Sequence, residues 1–179
     1  TCMGFVFHIL QTSLPKTIDI RLSANMDLST SEIGYIVAAI YVVSGLMNYV
    51  GGILADKFSE KIIYAIGIIG QGCLLLLIIS LANYWLIAIC LLIVAFNSSI
   101  LPAENLLLAR FAPEKYQSLV YGIKFIIAFS IGPIALVLIS KSYELTNEFS
   151  YLYLALGIMM LCLFIIILTL PVKKQALAA

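Results

Sequence analysis

A short charged stretch between two long apolar segments decides the fold of this chain: Gly51-Gly52-Ile53-Leu54-Ala55-Asp56-Lys57-Phe58-Ser59-Glu60-Lys61. Hydrophobic residues make up 63% of the 179 residues. Charged residues make up only 11%, whereas soluble domains carry about a quarter. Lipid is therefore the expected solvent of the protein, and this stretch is the expected turn between two membrane spans.

Apolar runs of the length needed to cross a bilayer, about 20 residues, occur six times in the chain. They predict an all-α membrane protein that forms a single bundle of six transmembrane helices. Ser29 and Glu32 have the spacing of a capping box, which predicts where the second helix starts, and Pro171 is expected to end the last helix. The predicted spans are residues 3–22, 32–55, 61–82, 85–109, 117–140 and 150–171.

Basic residues near the ends of these spans predict how the chain crosses the membrane. One side would hold Lys57, Lys61, Arg110, Lys115, Lys173 and Lys174, and the other Lys16, Arg21 and Lys141. The more basic side is expected to face the cytoplasm. This predicts a multi-pass protein of the cytoplasmic (inner) cell membrane, with both ends of this chain on the cytoplasmic side.

Polar residues are concentrated in four of the six predicted helices. The first, second, fourth and fifth helices carry them, whereas the third and sixth are almost wholly apolar. Because polar groups in hydrocarbon usually face a bundle interior or a wet cavity, the four helices are expected to line a cavity. Each polar residue could instead form a hydrogen bond between helices. The candidate cavity and substrate residues are Gln11, Asn48, Asn97, Ser98 and Asn105.

Glu104 and Lys124 are the two charged residues predicted to lie inside the membrane. Each lies about 8–10 Å from the cytoplasmic end of its helix, at about 1.5 Å per residue. Equal depth and opposite charge predict a buried ion pair. Three roles are open. The pair could be a static structural contact, or it could exchange partners during gating. It could also act directly in transport, with Glu104 accepting a coupling proton or Lys124 binding an anionic substrate.

A short internal similarity suggests a repeat. Thr12-Ser13-Leu14-Pro15 in the first helix parallels Ser99-Ile100-Leu101-Pro102 in the fourth. The two helices are predicted to run in opposite directions, so the similarity predicts an inverted repeat of three plus three helices. Matching interruptions of this kind are typical of transporters.

The stretch from Gly52 to Lys61 resembles the signature loop of the major facilitator superfamily. In that family a glycine, an aliphatic residue, an alanine–aspartate–basic run and further basic residues join the second and third helices of each half. Here Ser59 replaces the usual second glycine, and Glu60 replaces a basic residue. The region from Leu101 to Phe125 and the polar tail after Pro171 are more similar to the C-terminal half of the family than to the N-terminal half.

The resemblance implies one half of a twelve-helix secondary transporter that works by alternating access. It also implies that Gly52, Asp56, Lys57 and Lys61 form a conformational latch, in which Asp56 contacts the other half. The chain begins at Thr1 within an apolar run, which suggests a fragment that lacks the N-terminal six helices. The implied activity is transport of a small solute across the bilayer, with proton coupling expected.

Other interpretations of the sequence compete with a transporter half. The chain could be a half-size transporter that pairs with a second copy, or a membrane scaffold or receptor that transports nothing. An enzyme is not expected, because the sequence lacks a Gly-x-Ser-x-Gly elbow, a His-Glu-x-x-His pair and paired catalytic carboxylates. No cofactor, metal site or nucleic-acid partner is expected, since no phosphate loop, metal-type cysteine spacing or basic run is present.

Overall fold

The structure of the protein is a computed structural model that describes residues 2–22 and 28–169. These residues form helices and no β-strand. Two short 3₁₀ turns, Ile78–Ser80 and Glu114–Tyr116, lie after the third long helix and before the fifth. The six long helices are α1 (Cys2–Leu22), α2 (Thr30–Lys57), α3 (Glu60–Leu77), α4 (Trp85–Phe111), α5 (Gln117–Thr146) and α6 (Ser150–Thr169).

The six long helices coincide with the six apolar runs of the sequence, because local sequence signals set the helix ends. At the start of α2, the Ser29 hydroxyl accepts from the Glu32 backbone N–H at 3.3 Å, and the Glu32 carboxylate accepts from the Ser29 N–H at 2.8 Å. This confirms the predicted capping box. Helix α5 extends to Thr146, beyond the predicted end at residue 140. Pro171, the predicted end of the last helix, lies outside the described residues.

Five of the six long helices in the described part are long and apolar enough to cross a membrane. The exception is α1, which occupies the predicted first span but carries Lys16, Asp19 and Arg21 near its C-terminal end. Large apolar side chains are exposed on the outside of the bundle, for example Val42 on α2 (66% exposed) and Phe129 on α5 (71%). Such a surface is suited to lipid or to another apolar helix.

Helix α4 is the centre of the bundle. It packs along α2 and α3 and also contacts α1, while α3 packs on α6 and α1 packs on α5. Gly51 allows α2 to approach α4 closely, because a Cβ atom at this position would lie 2.6 Å from Cα of Ser99. A Cβ atom at Gly52 would meet no described atom within 4 Å. Close approach therefore depends on the first glycine of the pair.

Candidate transport cavity and its charge pair

A cavity of about 380 Å³ lies between α1, α2, α4 and α5. These are the four helices that carry most of the polar residues in the sequence. The cavity is partly open and mixes amide, charged and apolar groups. Its lining residues are Gly4, Asn48, Leu101, Pro102, Glu104, Asn105, Lys124, Phe125 and Ala128. Its size and mixed lining are suited to a small solute.

Glu104 and Lys124 meet in the wall of this cavity. The Lys124 Nζ atom lies 3.4 Å from Glu104 Oε1, and their side chains are 15% and 12% exposed. Lys124 also donates a hydrogen bond to Asn105 Oδ1 at 2.6 Å. The Tyr121 hydroxyl donates to the Asn105 backbone carbonyl at 2.8 Å. The two helices run antiparallel from the short turn at residues 112–116, and this arrangement brings residues 104 and 124 to the same depth.

A second cavity, which we call the α4–α5 cleft, lies on the other side of the ion pair. It also measures about 380 Å³, and its third wall is α3 instead of α1 and α2. Glu104 and Lys124 line both cavities. The other lining residues of the cleft are Tyr64, Leu107, Leu108, Phe111, Val120, Ile123 and Ile127. The ion pair therefore forms part of the partition between a mixed cavity and an apolar one.

The predicted cavity residues fall into three environments. Asn48 and Asn105 line the central cavity. Gln11 is exposed on α1 and is not among the lining residues. Asn97 and Ser98 are buried in α4, at 0% and 3% exposure, and neither lines the cavity. Sequence reasoning could identify these residues as polar but could not separate cavity positions from packed ones.

The two buried residues differ in their hydrogen bonding. The Ser98 hydroxyl bonds to the hydroxyl of Ser44 on α2, which ties the two helices together. Neither side-chain polar atom of Asn97 has a hydrogen-bond partner within the described part of the chain. The same holds for the side-chain amide of Gln71 on α3, which is fully buried. Unpartnered buried amides are costly and rare in folded proteins.

The predicted latch residues lie at the joint between α2 and α3. Asp56 and Lys57 are exposed in the last turn of α2, and Asp56 forms no ion pair with any described residue. Lys61 donates a hydrogen bond to the backbone carbonyl of Leu168 at 3.1 Å, near the end of α6. The fourth latch residue, Gly52, is partly exposed. The joint is thus attached to α6 through Lys61, while its acidic residue faces outward.

Glu60 is a functional candidate that sequence reasoning missed. Its carboxylate is 8% exposed, and its Oε1 atom lies 2.8 Å from Nη2 of Arg110 at the end of α4. Its Oε2 atom is buried and has no hydrogen-bond partner among the described residues. In the sequence, Glu60 is notable only because it replaces a basic residue of the signature loop. A signal was present, because Glu60 directly precedes the predicted third span and Arg110 directly follows the predicted fourth, so both lie at the same side of the membrane.

Arg21 is a second missed residue, at the opposite end of the bundle. Its side chain is 6% exposed, and Nη1 donates to the backbone carbonyl of Ile78 at 2.5 Å and to that of Leu81 at 3.2 Å. Nη2 donates to the Ser150 hydroxyl at 2.9 Å and to Glu148 Oε2 at 3.5 Å. Arg21 therefore joins the end of α1 to the end of α3 and the start of α6.

The described residues form a bundle of long apolar helices around a cavity of about 380 Å³, an architecture that membrane transport proteins have. Comparison with known families agrees: the chain belongs to the Major Facilitator Superfamily, whose profile matches residues 1–178. This confirms the resemblance carried by the loop after α2. The protein is accordingly a multi-pass membrane protein of a transporter family that contacts lipid.

Two relatives match part of the chain. The chain is 27% identical over 132 residues to an uncharacterized MFS-type transporter, YqjV, of Bacillus subtilis. The aligned residues make up 73% of this chain. The chain is 30% identical over 136 residues to a Na⁺, Li⁺, K⁺/H⁺ antiporter of Planococcus maritimus. The aligned residues make up 70% of this chain. In both cases the match spans 32% of the relative's length.

Proposed function

We propose that the chain forms the C-terminal six-helix half of a secondary transporter that moves a small solute by alternating access, coupled to protons. The observation that carries the proposal is the cavity between α1, α2, α4 and α5, with the Glu104–Lys124 pair in its wall. Charged groups at membrane depth are costly and mark ion or solute pathways. A neutral pair next to an open cavity supplies both a proton acceptor and a cation.

The packing of the helices supports an inverted repeat of three plus three helices. Helix α2 packs on α4, and α1 packs on α5. In such a repeat α4 is equivalent to α1 and α5 is equivalent to α2. The α2–α4 contact is then equivalent to the α5–α1 contact. The contact of α3 with α6 is converted into itself. These three contacts fit two three-helix units related by a two-fold axis, whereas the extensive α3–α4 contact has no counterpart of similar extent between α6 and α1 in the described part of the chain.

The partner of the bundle is proposed to be a second six-helix unit, either the N-terminal half of the same protein or another copy. The exposure of Asp56 supports a contact with this unit and a role as the latch. Asp56 lies in the last helical turn, where the helix dipole disfavours a carboxylate. A cation or a helix N-terminus on the partner would relieve this cost. The basic residues of the loops support a cytoplasmic location for this joint and for both ends of the chain.

Alternating access is tested by cysteine labelling, which needs no knowledge of the solute. In the full-length protein with its native cysteines replaced, Ala128→Cys lies in the cavity wall. A membrane-impermeant maleimide should label it from either face of the membrane, because the cavity opens to each side in turn. The control is Ile126→Cys, which is 68% exposed outside both cavities and should be labelled from neither face. Labelling of Ala128→Cys from one face alone would favour a scaffold or receptor.

A second candidate function is exchange of alkali cations for protons. It is favoured by the name of the Planococcus maritimus relative. Addition of Na⁺, Li⁺ or K⁺ to proteoliposomes that hold a pH gradient and contain the full-length protein would then dissipate that gradient. A gradient unaffected by all three ions would rule this candidate out and leave the transport of another solute.

A further inference from the structure

The Glu104–Lys124 pair separates two cavities of different character. On its central side lie amide groups of α2 and α4, and on its other side lies the α4–α5 cleft. Both side chains reach both cavities, and the two charged atoms are 3.4 Å apart. A rearrangement of this pair would therefore bring the two cavities into contact.

The α4–α5 cleft is chemically suited to an apolar body. Apart from Tyr64 and the ion pair, all of its lining residues are aliphatic or aromatic hydrocarbons. It opens at the surface of the bundle, where Phe111 is 52% and Ile123 is 47% exposed. A volume of about 380 Å³ is enough for a small organic molecule.

The charge of the pair restricts which solute can bind beside it. The pair is neutral, and an uncompensated charge at membrane depth is costly. A solute carboxylate that takes the place of Glu104 at Lys124 would leave one excess negative charge. One proton taken up by the Glu104 carboxylate removes that charge and restores neutrality. A solute cation at Glu104 would require Lys124 to lose a proton instead, and amines release protons far less readily than carboxylates accept them near neutral pH.

Hydrogen bonding around Lys124 is compatible with this exchange. Lys124 already donates to Asn105 Oδ1 at 2.6 Å, so it stays in place when its bond to Glu104 is broken. The other titratable residue that lines the cleft is Tyr64 of α3. Tyr121 of α5 donates to the Asn105 backbone. On the central side, Gly4 of α1 and Asn48 of α2 do not titrate.

We infer that the α4–α5 cleft binds the apolar body of an organic anion whose carboxylate pairs with Lys124, while Glu104 takes up one proton. This inference rests on the proposed function, since it names the solute class and the proton site of that transport. Binding of the anion and binding of the proton then favour each other, because each removes the charge that the other leaves.

The test is calorimetric binding of 4-phenylbutyrate to the full-length protein in lipid nanodiscs, in two buffers of different ionisation enthalpy. The inference predicts uptake of about one proton for each carboxylate bound, as linkage requires. Glu104→Gln mimics the protonated acid, so it should still bind the anion but take up no proton. Lys124→Gln should weaken binding by about tenfold or more, the loss expected for a charged hydrogen bond.

A matched pair of variants tests the location of the site. Ile123→Trp fills the cleft and should weaken binding by about tenfold, because the apolar body no longer fits. Ile126→Trp lies one turn further along α5, outside both cavities, and should bind as the unaltered protein does. Equal binding by the two variants would overturn the assignment to the cleft.

Three further results would overturn the inference. They are binding without proton uptake, tighter binding of the corresponding phenylbutylammonium cation, and a phospholipid that native mass spectrometry finds retained in the cleft and that phenylbutyrate does not displace. These failures are distinguishable from failure of the proposed function. If Ala128→Cys is labelled from both faces while no carboxylate binds, the transporter proposal stands and the solute class is wrong.

Discussion

Glu60 at the start of α3 and Arg110 at the end of α4 form an ion pair of 2.8 Å, in which the glutamate is almost fully buried and the arginine is 31% exposed. The pair attaches the α2–α3 joint to the central helix of the bundle. Together with the hydrogen bond from Lys61 to Leu168, it connects the joint to both neighbours of α3. These two contacts hold the joint against α4 and α6.

We expect Glu60→Gln and Arg110→Gln each to lower the free energy of unfolding by about 1–2 kcal/mol. Breaking a fully buried pair costs about 3–5 kcal/mol, and the exposure of Arg110 reduces this value. Thermal unfolding of the full-length protein in detergent would measure it. Lys16→Gln is the control, since the Lys16–Asp19 pair is exposed at both ends and should contribute less than about 1 kcal/mol. Equal effects of all three variants would contradict a special role for the joint.

Gly51 and Gly52 are adjacent in sequence but should respond in opposite ways to alanine. Gly51→Ala drives a methyl group into the backbone of Ser99 and should cost about 1–3 kcal/mol, because α2 and α4 must separate. Gly52→Ala meets open space and should stabilise the helix by up to about 1 kcal/mol. The measurement is thermal unfolding in detergent. Strong destabilisation by Gly52→Ala would show that another segment of the full-length protein packs against it.

Arg21→Lys should destabilise the opposite end of the bundle although it keeps the charge. Lysine lacks the planar fork that reaches the carbonyls of Ile78 and Leu81 and the Ser150 hydroxyl at the same time. The expected loss is about 2 kcal/mol or more, since hydrogen bonds of charged groups are strong. Reaction of the buried Cys90 with a thiol dye during heating would report it, in a background where the other cysteines, including Cys2, Cys73 and Cys162, are replaced. The exposed Lys141→Gln should have no effect.

Asn97→Leu separates the predicted substrate role of Asn97 from a purely structural one. Because the buried amide has no hydrogen-bond partner among the described residues, leucine should raise the free energy of unfolding by about 1–3 kcal/mol. If Asn97 contacts solute in another conformation, transport should fall while stability rises. Its neighbour provides the control: Ser98→Ala loses the bond to Ser44 and should destabilise by roughly 0.6 kcal/mol. Unchanged transport in Asn97→Leu would contradict the substrate role.

The helices could be predicted because their signals are local. Continuous apolar runs set the spans, and the Ser29–Glu32 capping box fixed the start of α2 within the chain itself. The Glu104–Lys124 contact was also accessible, since both residues lie at countable distances from one short turn. Equal depth then followed from the rise per residue of a helix.

Contacts between helix ends could not be predicted in the same way. Glu60 meets Arg110, and Arg21 meets the carbonyls of Ile78 and Leu81, across 50 or more residues of chain. Sequence alone places such residues at one side of the membrane but does not show which helices are neighbours there. The burial of Asn97 has the same origin, because it depends on the face that α4 turns toward the rest of the bundle.

The sequence by itself determined that this protein is a helical membrane protein of a transporter family, because composition, apolar run length and one signature loop act without reference to packing. Only the tertiary structure decided which glycine allows α2 to meet α4, which amides line the cavity, and that one ion pair separates two cavities. These properties depend on the rotation and crossing of helices, which arise from contacts between residues far apart in the chain.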